Sequence, residues 1–329
     1  MNQPLLEIQN LSLSVEQDQQ NVNILHNISM KVMDKEIVGL VGETGSGKSS
    51  LSKAIMRLQV TSGKEHVSGH ILFEGMDLIK ANTQTMESIR GAKIGMIFQD
   101  PLSALNPVIT IGDQLIETIV KHRKAPKDEA FNKAVEILFH LGITHPLMRM
   151  HQYSYEISGG MRKRIAIAIA ISCHPKLIIA DESTSSLDVI TESQVLRLLK
   201  NLDTSVLFIS HDLHLTSKIS DRIYVMYAGS IVETGNTNQI FKSPKHPYTQ
   251  LLLASCPRLA KQKSGPLIVI PGVPPLPETR PKACAFHPRC PKAMQICSEH
   301  DPSKDPELKV PCWLYHPTYQ GSLQKCQIN

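Results

Sequence analysis

Nowhere in these 329 residues is there an apolar run long enough to cross a membrane. The most apolar alternating stretch, IAIAIAI at 165–171, falls far short of the roughly 20 residues that a spanning helix needs. The opening, MNQPLLEIQN, lacks the basic-then-apolar pattern of a secretory signal. Strong charge is missing too: a net +5 is mild, and a solvated surface accounts for it more simply than an anionic partner. Internal repeats and low-complexity tracts are absent, and only Cys173 precedes Cys256. A chain of this length buries enough core to fold without staples. Together these absences predict a soluble or peripheral cytosolic protein, in which thiols stay reduced and a disulfide framework is not expected.

What is present is ordinary in bulk and uneven in distribution. The hydrophobic fraction of 41% and charged fraction of 20% are those of a globular chain, and the length suits about two domains on a ~150-residue prior. Six of the seven cysteines lie at or after Cys256, and fifteen of the 21 prolines lie between Pro244 and Pro317. The composition therefore changes near residue 244. Before it, the apolar runs EIVGLVG, KIGMIF, KLIIAD, SVLFIS and IYVMYAG alternate with longer amphipathic segments. That pattern predicts a mostly parallel sheet flanked by helices. A longer helical stretch, about 86–158, reads as an insertion between sheet strands. After 256 an extended, proline-rich linker leads into a small loop-rich module.

The segment GLVGETGSGKSS at 39–50 carries Gly42-x-x-x-x-Gly47-Lys48-Ser49 between an apolar strand and a helical pattern, the context a phosphate-binding loop requires. Gly42, Gly45 and Gly47 free the backbone to turn its N–H groups inward, with Glu43, Thr44 and Ser46 completing the loop. Lys48 offers a positive charge to the β and γ phosphates. Ser49 offers a hydroxyl to Mg²⁺, and with Ser50 it opens a helix whose positive end faces the anion. Downstream, KLIIADE ends an apolar strand with Asp181, placed for a Mg²⁺ contact, and Glu182, placed to orient an attacking water.

Between these lies ISGGMRKR at 157–164, and here the chain begins to resemble a known family. SGGM resembles the signature motif of ABC-type ATPases. Gln99 in MIFQDP resembles the Q-loop glutamine, SSLD at 185–188 resembles the D-loop, and His211 in LFISHD resembles the switch histidine. Each motif alone is weak, but six in order from Gly42 to His211 are specific. The resemblance implies an α/β, ABC-type P-loop NTPase fold: a central, mostly parallel sheet, an antiparallel β subdomain and a helical subdomain. It implies ATP and Mg²⁺ as ligands, with Ser49, Gln99 and Asp181 around the metal, and Glu182, His211 and Gln99 as catalytic residues. Ser158, Gly159, Gly160 and Asp188 would serve nucleotide in a head-to-tail pair of subunits. Two positions depart from the pattern. Ser183 replaces the proline that usually follows the glutamate, and no ring stands near Val15, where relatives stack one on adenine.

The tail narrows the resemblance. PKHPYTQLLLASCP at 244–257, PGVPPLP, CAFHPRCPKAMQIC and KVPCW are similar to the C-terminal extension of oligopeptide, dipeptide and nickel transporter ATPases. The expected division is thus 1–243 for the ATPase domain and 244–329 for the extension. Cys284, Cys290, Cys297 and Cys312 are separated by five, six and fourteen residues. Zinc sites favour paired C-x₂₋₄-C knuckles, which are missing here, whereas four loop-borne thiolates suit a cubane cluster. Similar tails carry a 4Fe-4S cluster at these positions; zinc and unliganded thiols remain the alternatives. Cys173 and Cys256 read as packing residues and Cys326 as a tail thiol.

The family resemblance implies an energy-coupling ATPase at the cytoplasmic face of the inner membrane. Its partners would be two permease subunits, a second and distinct ATPase chain and, indirectly, an extracytoplasmic solute-binding protein. Di- or oligopeptides are the expected cargo, with nickel or a metallophore as the alternative. A soluble ABC ATPase that acts on DNA or ribosomes would usually carry a long coiled-coil insertion or two cassettes. Here about 116 residues separate Gly42 from Ser158 and there is one cassette, so no nucleic-acid partner is expected. A regulatory subunit that barely hydrolyses ATP is disfavoured by the intact Glu182.

Overall fold

The fold was described from a computed structural model, over residues 3–17, 20–58, 64–100, 104–183, 189–256 and 269–319. Asp188, with the rest of SSLD, lies outside the described residues, as do the linker 257–268 and Cys326. The chain divides into two compact units that interleave along the sequence. One comprises 1–6, 32–37 and 72–209; the other comprises 7–31, 38–71 and 210–329.

In the first unit the apolar runs form parallel strands. Ile94–Ile97 pairs with Leu177–Asp181 from Ile94↔Leu177 to Ile97↔Ala180, and Leu177–Asp181 pairs with Ser205–Ser210 from Leu177↔Ser205 to Asp181↔Ile209. A strand with parallel neighbours on both sides is covered on both faces, so LIIAD is continuously apolar up to its last residue, and all five positions are buried. The stretch 86–158 opens on the end of helix Thr83–Ile89 and passes through strand Ile94–Ile97, which KIGMIF supplies. It then runs through helices Ile111–Arg123, Lys127–His140 and Pro146–Met150 to Gly159–Ile171. Thr110 starts the first of these by accepting a hydrogen bond from the Asp113 N–H, and acidic Asp128 and Glu129 sit in the first turn of the second. IAIAIAI alternates like a strand yet forms the end of helix Gly159–Ile171. The helix buries Ile165, Ala166, Ile167, Ala168 and Ala170, and a helix apolar nearly all round carries no legible period.

In the second unit strands Leu6–Gln17 and Gln20–Val32 lie side by side, antiparallel. Asn10 N–H donates to Ser29 Oγ and Asn27 N–H to Ser12 Oγ, at 3.0 Å each. Strand Ile37–Val41, wholly buried, runs parallel to Arg222–Tyr227, which pairs antiparallel with Ser230–Asn236 across a bulge at Ile231/Glu233. Glu233, beside that bulge, is 4% exposed, and its carboxylate accepts the Lys245 and His246 N–H groups at 2.7 and 3.0 Å. This buried carboxylate fastens PKHPYT to the sheet, and His246 Nδ1 caps helix Pro247–Ala254 by accepting the Tyr248 N–H at 3.1 Å.

The C-terminal segment has little regular structure: four 3₁₀ turns and the short helix Ile296–Glu299 among the described residues. Part of its apolar surface is buried against the strands and helix before it. Ile270 and Phe286 join Val41, Val225, Tyr227, Tyr248 and Leu252 in one buried cluster. The rings of Tyr227, Tyr248 and Phe286 meet pairwise at centroid distances of 4.6, 5.2 and 5.3 Å. Such contacts add about 0.5–1.5 kcal/mol per pair to burial. Phe286→Ala is expected to cost about 3–5 kcal/mol. Trp313, the sole tryptophan, sits in the tail and reports it by fluorescence. In a thermal melt of the variant, fluorescence and far-UV circular dichroism should fall together at a lower temperature. A tail transition well separated from a residual helix-and-sheet transition would contradict the shared core.

Candidate active site and cysteine module

The phosphate loop lies in the second unit, between strand Ile37–Val41 and helix Lys48–Ile55. Gly42 is packed so closely that a Cβ would stand 2.2 Å from the Met226 carbonyl oxygen, and Gly47 caps the helix at φ 100°. Neither position admits a side chain without rebuilding the turn. Lys48 is 4% exposed. Its ammonium donates to the carbonyls of Gly42 and Glu43 at 2.9 and 2.8 Å and to Ser46 Oγ at 3.3 Å. The cation is thus folded into the loop's own rim. Thr44 and Gly45 are exposed, whereas Ser49 and Ser50 are half-buried. In the same unit His211 is exposed, directly before Asp212, whose carboxylate caps helix Leu213–Ile219 through the His214 and Leu215 N–H groups.

The first unit holds the carboxylates. Asp181, 4% exposed, ends its strand. Glu182 then turns into the left-handed region at φ 44°, an uncommon conformation for a side chain of this size. Among the described residues, three hydrogen bonds hold it there. Its N–H donates to Ile209 O at 2.9 Å, its carboxylate accepts from Gln99 Nε2 at 2.8 Å, and its carbonyl accepts from Lys163 Nζ at 3.1 Å. Gln99 and Glu182, 83 residues apart, are therefore brought together. Lys163 was not singled out in the sequence. It lies one turn into the helix that Ser158 caps, and burial pushes its ammonium down to about 8, against the pull of Glu182 and Asp100. Ser183, standing where relatives have proline, is buried, and its hydroxyl has no partner among the described residues.

Ser158 and Gly159 are exposed, and a Cβ built on Gly159 or Gly160 meets nothing within 4 Å. Nothing inside this unit demands those glycines.

Cys284, Cys290, Cys297 and Cys312 line one narrow cavity with His246, Phe286, Trp313 and Leu314. Burial pushes the Cys284 thiol up to about 11 and the Cys312 thiol up to about 12; Cys290 is also raised. Thiols so placed ionise only against a strong local positive charge, which a metal centre supplies. Sulfurs around one tetrahedral zinc stand about 3.8 Å apart, from a Zn–S distance near 2.3 Å. Among the described residues, Asp305, Glu307 and His316 are the one His/Cys/Asp/Glu group whose ligand atoms all lie within 4.8 Å of one another. The four thiols share one cavity, so as a donor set they suit a metal centre without specifying which. Cys173 is a packing residue, its thiol 3.6 Å from the Thr118 carbonyl oxygen.

Two further residues escaped the sequence reading, Arg289 and Tyr248. The Arg289 guanidinium grips the Glu43 carboxylate with both terminal nitrogens, at 2.8 and 3.0 Å, and the Tyr248 hydroxyl accepts the Glu43 N–H at 2.9 Å. Both sit in tail segments that read as cysteine spacing and proline punctuation.

Comparison with known proteins agrees with these motifs. Residues 25–185 match the ABC transporter family, and residues 232–297 match the oligopeptide/dipeptide transporter C-terminal region. The oligopeptide transport ATP-binding protein OppD of Bacillus subtilis is 44% identical over 95% of this chain and 89% of its own length. The probable D,D-dipeptide transport ATP-binding protein DdpD of Escherichia coli is 43% identical, covering 95% and 97%. Among solved structures, the dimeric cassette MJ0796 bound to ADP and phosphate covers 70% of this chain and 98% of its own, with a TM-score of 0.64 at 22% identity. The fold is that of an ABC-type P-loop ATPase. The chain belongs to the ABC transporter ATP-binding proteins, in the branch that carries the oligopeptide/dipeptide C-terminal region, and it is an ATPase.

Lys163→Met is expected to lower kcat by about 10- to 100-fold with little change in KM for ATP, since a misaimed Glu182 affects chemistry more than binding. The Lys163 ammonium is charged below about pH 8, so its hold on the Glu182 carbonyl is strongest there and weakens as pH rises. Wild-type kcat should fall through an inflection near pH 8 that Lys163→Met lacks. An unchanged pH profile in the variant would remove Lys163 from this role.

Proposed function

We propose that this chain is the energy-coupling ATPase of an importer for di- or oligopeptides. The observation that carries the reading is Glu182, held at φ 44° between Gln99 and Lys163 directly after a buried strand-end aspartate. A carboxylate fixed in that way can orient and polarise a water for attack on a γ phosphate. Gly42, Glu43, Thr44, Gly45, Ser46, Gly47, Lys48, Ser49 and Ser50 would cradle the phosphates of ATP. Ser49, Gln99 and Asp181 are assigned to Mg²⁺ from their motif positions; the metal supplies charge neutralisation on the phosphates. His211 is assigned to the γ phosphate. Ser158, Gly159, Gly160 and Asp188 would complete the nucleotide site of a second ATPase chain. The openness of the two glycines supports this, because their lack of side chains serves no contact within the unit.

The peptide cargo is supported by relatives named for oligopeptide and dipeptide transport that match at 41–44% identity over more than nine-tenths of the chain. No helix among the described residues is long and apolar enough to cross a membrane. Two permease subunits would supply the pathway, with this chain peripheral at the cytoplasmic face of the inner membrane and a solute-binding protein on the other side. Exposed Val108, Phe139, Leu147, Met148 and Tyr155, all in the helical stretch, support a protein contact there. Residues 1–243 would form the ATPase domain and 244–329 the extension. Cys284, Cys290, Cys297 and Cys312 would hold a 4Fe-4S cluster, which would cross-link a module that has little core of its own.

Tagged protein extracted gently from native membranes should bring down two permease chains and a second, related ATPase. Recovery of soluble partners or nucleic acid alone would overturn the importer reading. In the assembled complex Glu182→Gln should retain ATP and lose turnover, and normal ATPase activity would sink the role of Glu182. Anaerobically purified protein should contain about four iron and four sulfide per chain; stoichiometric zinc would replace the cluster assignment.

A further inference from the structure

The phosphate loop contains one side chain whose charge opposes its ligand. Glu43 places a carboxylate directly after Gly42, in a loop whose ligand is a polyanion. Like charges at such range cost affinity unless one is neutralised or turned away. Arg289 does both. Its side chain is 4% exposed, against 23% for Glu43, and the two meet as a planar fork on a carboxylate, the strongest geometry open to an ion pair. Arg289 is itself immobilised: Nε donates to Pro271 O at 2.8 Å, Nη1 also reaches Tyr227 Oη at 3.3 Å, and the guanidinium lies 5.8 Å from the centre of the Tyr227 ring.

Both ends of this pair lead to functional groups. At one end, the Glu43 carbonyl accepts the Lys48 ammonium at 2.8 Å and the Ser46 N–H at 3.2 Å. Displacing Glu43 therefore displaces the phosphate-binding lysine. At the other end, Arg289 closes the 3₁₀ turn His287–Arg289 and is bonded in sequence to Cys290. That turn hangs on the cysteine module: His287 N–H donates to Cys284 O at 3.2 Å, and Cys284 N–H to Cys297 O at 3.2 Å. Tyr248 adds a second tie, since it accepts the Glu43 N–H while packing on Phe286. The tail thus reaches both the main chain and the side chain of one residue of the phosphate loop.

We propose that Arg289 is a positioning residue for ATP, and that through it nucleotide affinity depends on the integrity of the cysteine module. The inference rests on the reading of residues 42–50 as the ATP site, but not on which metal the cysteines hold. When the module is intact, Arg289 holds Glu43 back from the phosphates and keeps Lys48 in register. When the module loses its cross-link, the fork opens, an unneutralised carboxylate faces the nucleotide, and affinity falls. The pair would therefore convert loss of the metal centre into release of ATP.

The test is equilibrium binding of a fluorescent ATP analogue with Mg²⁺ to the full-length chain, with Trp313 emission as the check on the tail's fold. Arg289→Gln should weaken binding about tenfold, inside the usual range for energetic coupling between sites. Arg289→Lys, which keeps the charge without the fork, should fall between it and wild type. The double variant Glu43→Gln/Arg289→Gln should bind more tightly than Arg289→Gln alone, because the exposed carboxylate is gone. A merely structural arginine gives no such recovery. Cys290→Ser should weaken binding like Arg289→Gln, and combining the two should add little. Lys48→Ala is the control. If it abolishes binding while Arg289→Gln binds as wild type, the coupling is refuted and the ATP site stands; if Lys48→Ala still binds, the phosphate-loop reading itself has failed. Should Arg289→Gln not fold, Arg289→Lys and Cys290→Ser decide the matter, and wild-type affinity in both would refute the coupling.

Discussion

Within each unit a carboxylate must be held in a fixed place, and the geometry of both motifs depends on that constraint. Each has to be present for chemistry or geometry, and each repels the ligand it serves. The fold meets this locally, with one device per acid. Glu182 is bent into a left-handed turn and bonded to an amide and an ammonium. Glu43 is clamped by a guanidinium from a distant part of the chain. The lysines and arginines involved are buried, and every one of them is tied to a backbone carbonyl as well as to its function. Buried cations are costly to hold without such partners, so the polar network and the surrounding core stabilise each other.

The same logic ties the tail to the unit that carries the phosphate loop. The tail's irregular backbone offers few ladder hydrogen bonds to hold it. Sharing Tyr227, Tyr248 and Leu252 with the strand-and-helix layer solves that problem. Sharing also means that a disturbance in the module has a short route inward.

Much of the architecture was legible in the sequence, for identifiable reasons. Runs such as IVGLV and LIIAD are buried on both faces and so lose every polar interruption, which makes them stand out. The phosphate-loop segment, Gln99, Asp181 and Glu182 stood out because family motifs set residue types at fixed spacings, and the structure brings Gln99 onto Glu182. Strand Ile94–Ile97, inside the helical stretch, was less legible, because four residues are too short to declare a period. Lys163, Tyr248 and Arg289 were not legible at all. Their partners lie 19, 205 and 246 residues away, and nothing local distinguishes a clamp from a surface cation or a core ring.

The open backbone at Gly159 and Gly160 has a consequence for how such proteins tolerate change. No described neighbour would object to a methyl group there, and helix propensity favours one, so selection for heat resistance alone would replace both glycines. On the proposed pairing of two ATPase chains, what keeps them glycine comes from outside the folded chain. A lineage that lost its assembly partner could drift at the signature while remaining a well-folded protein, and that drift would record the loss.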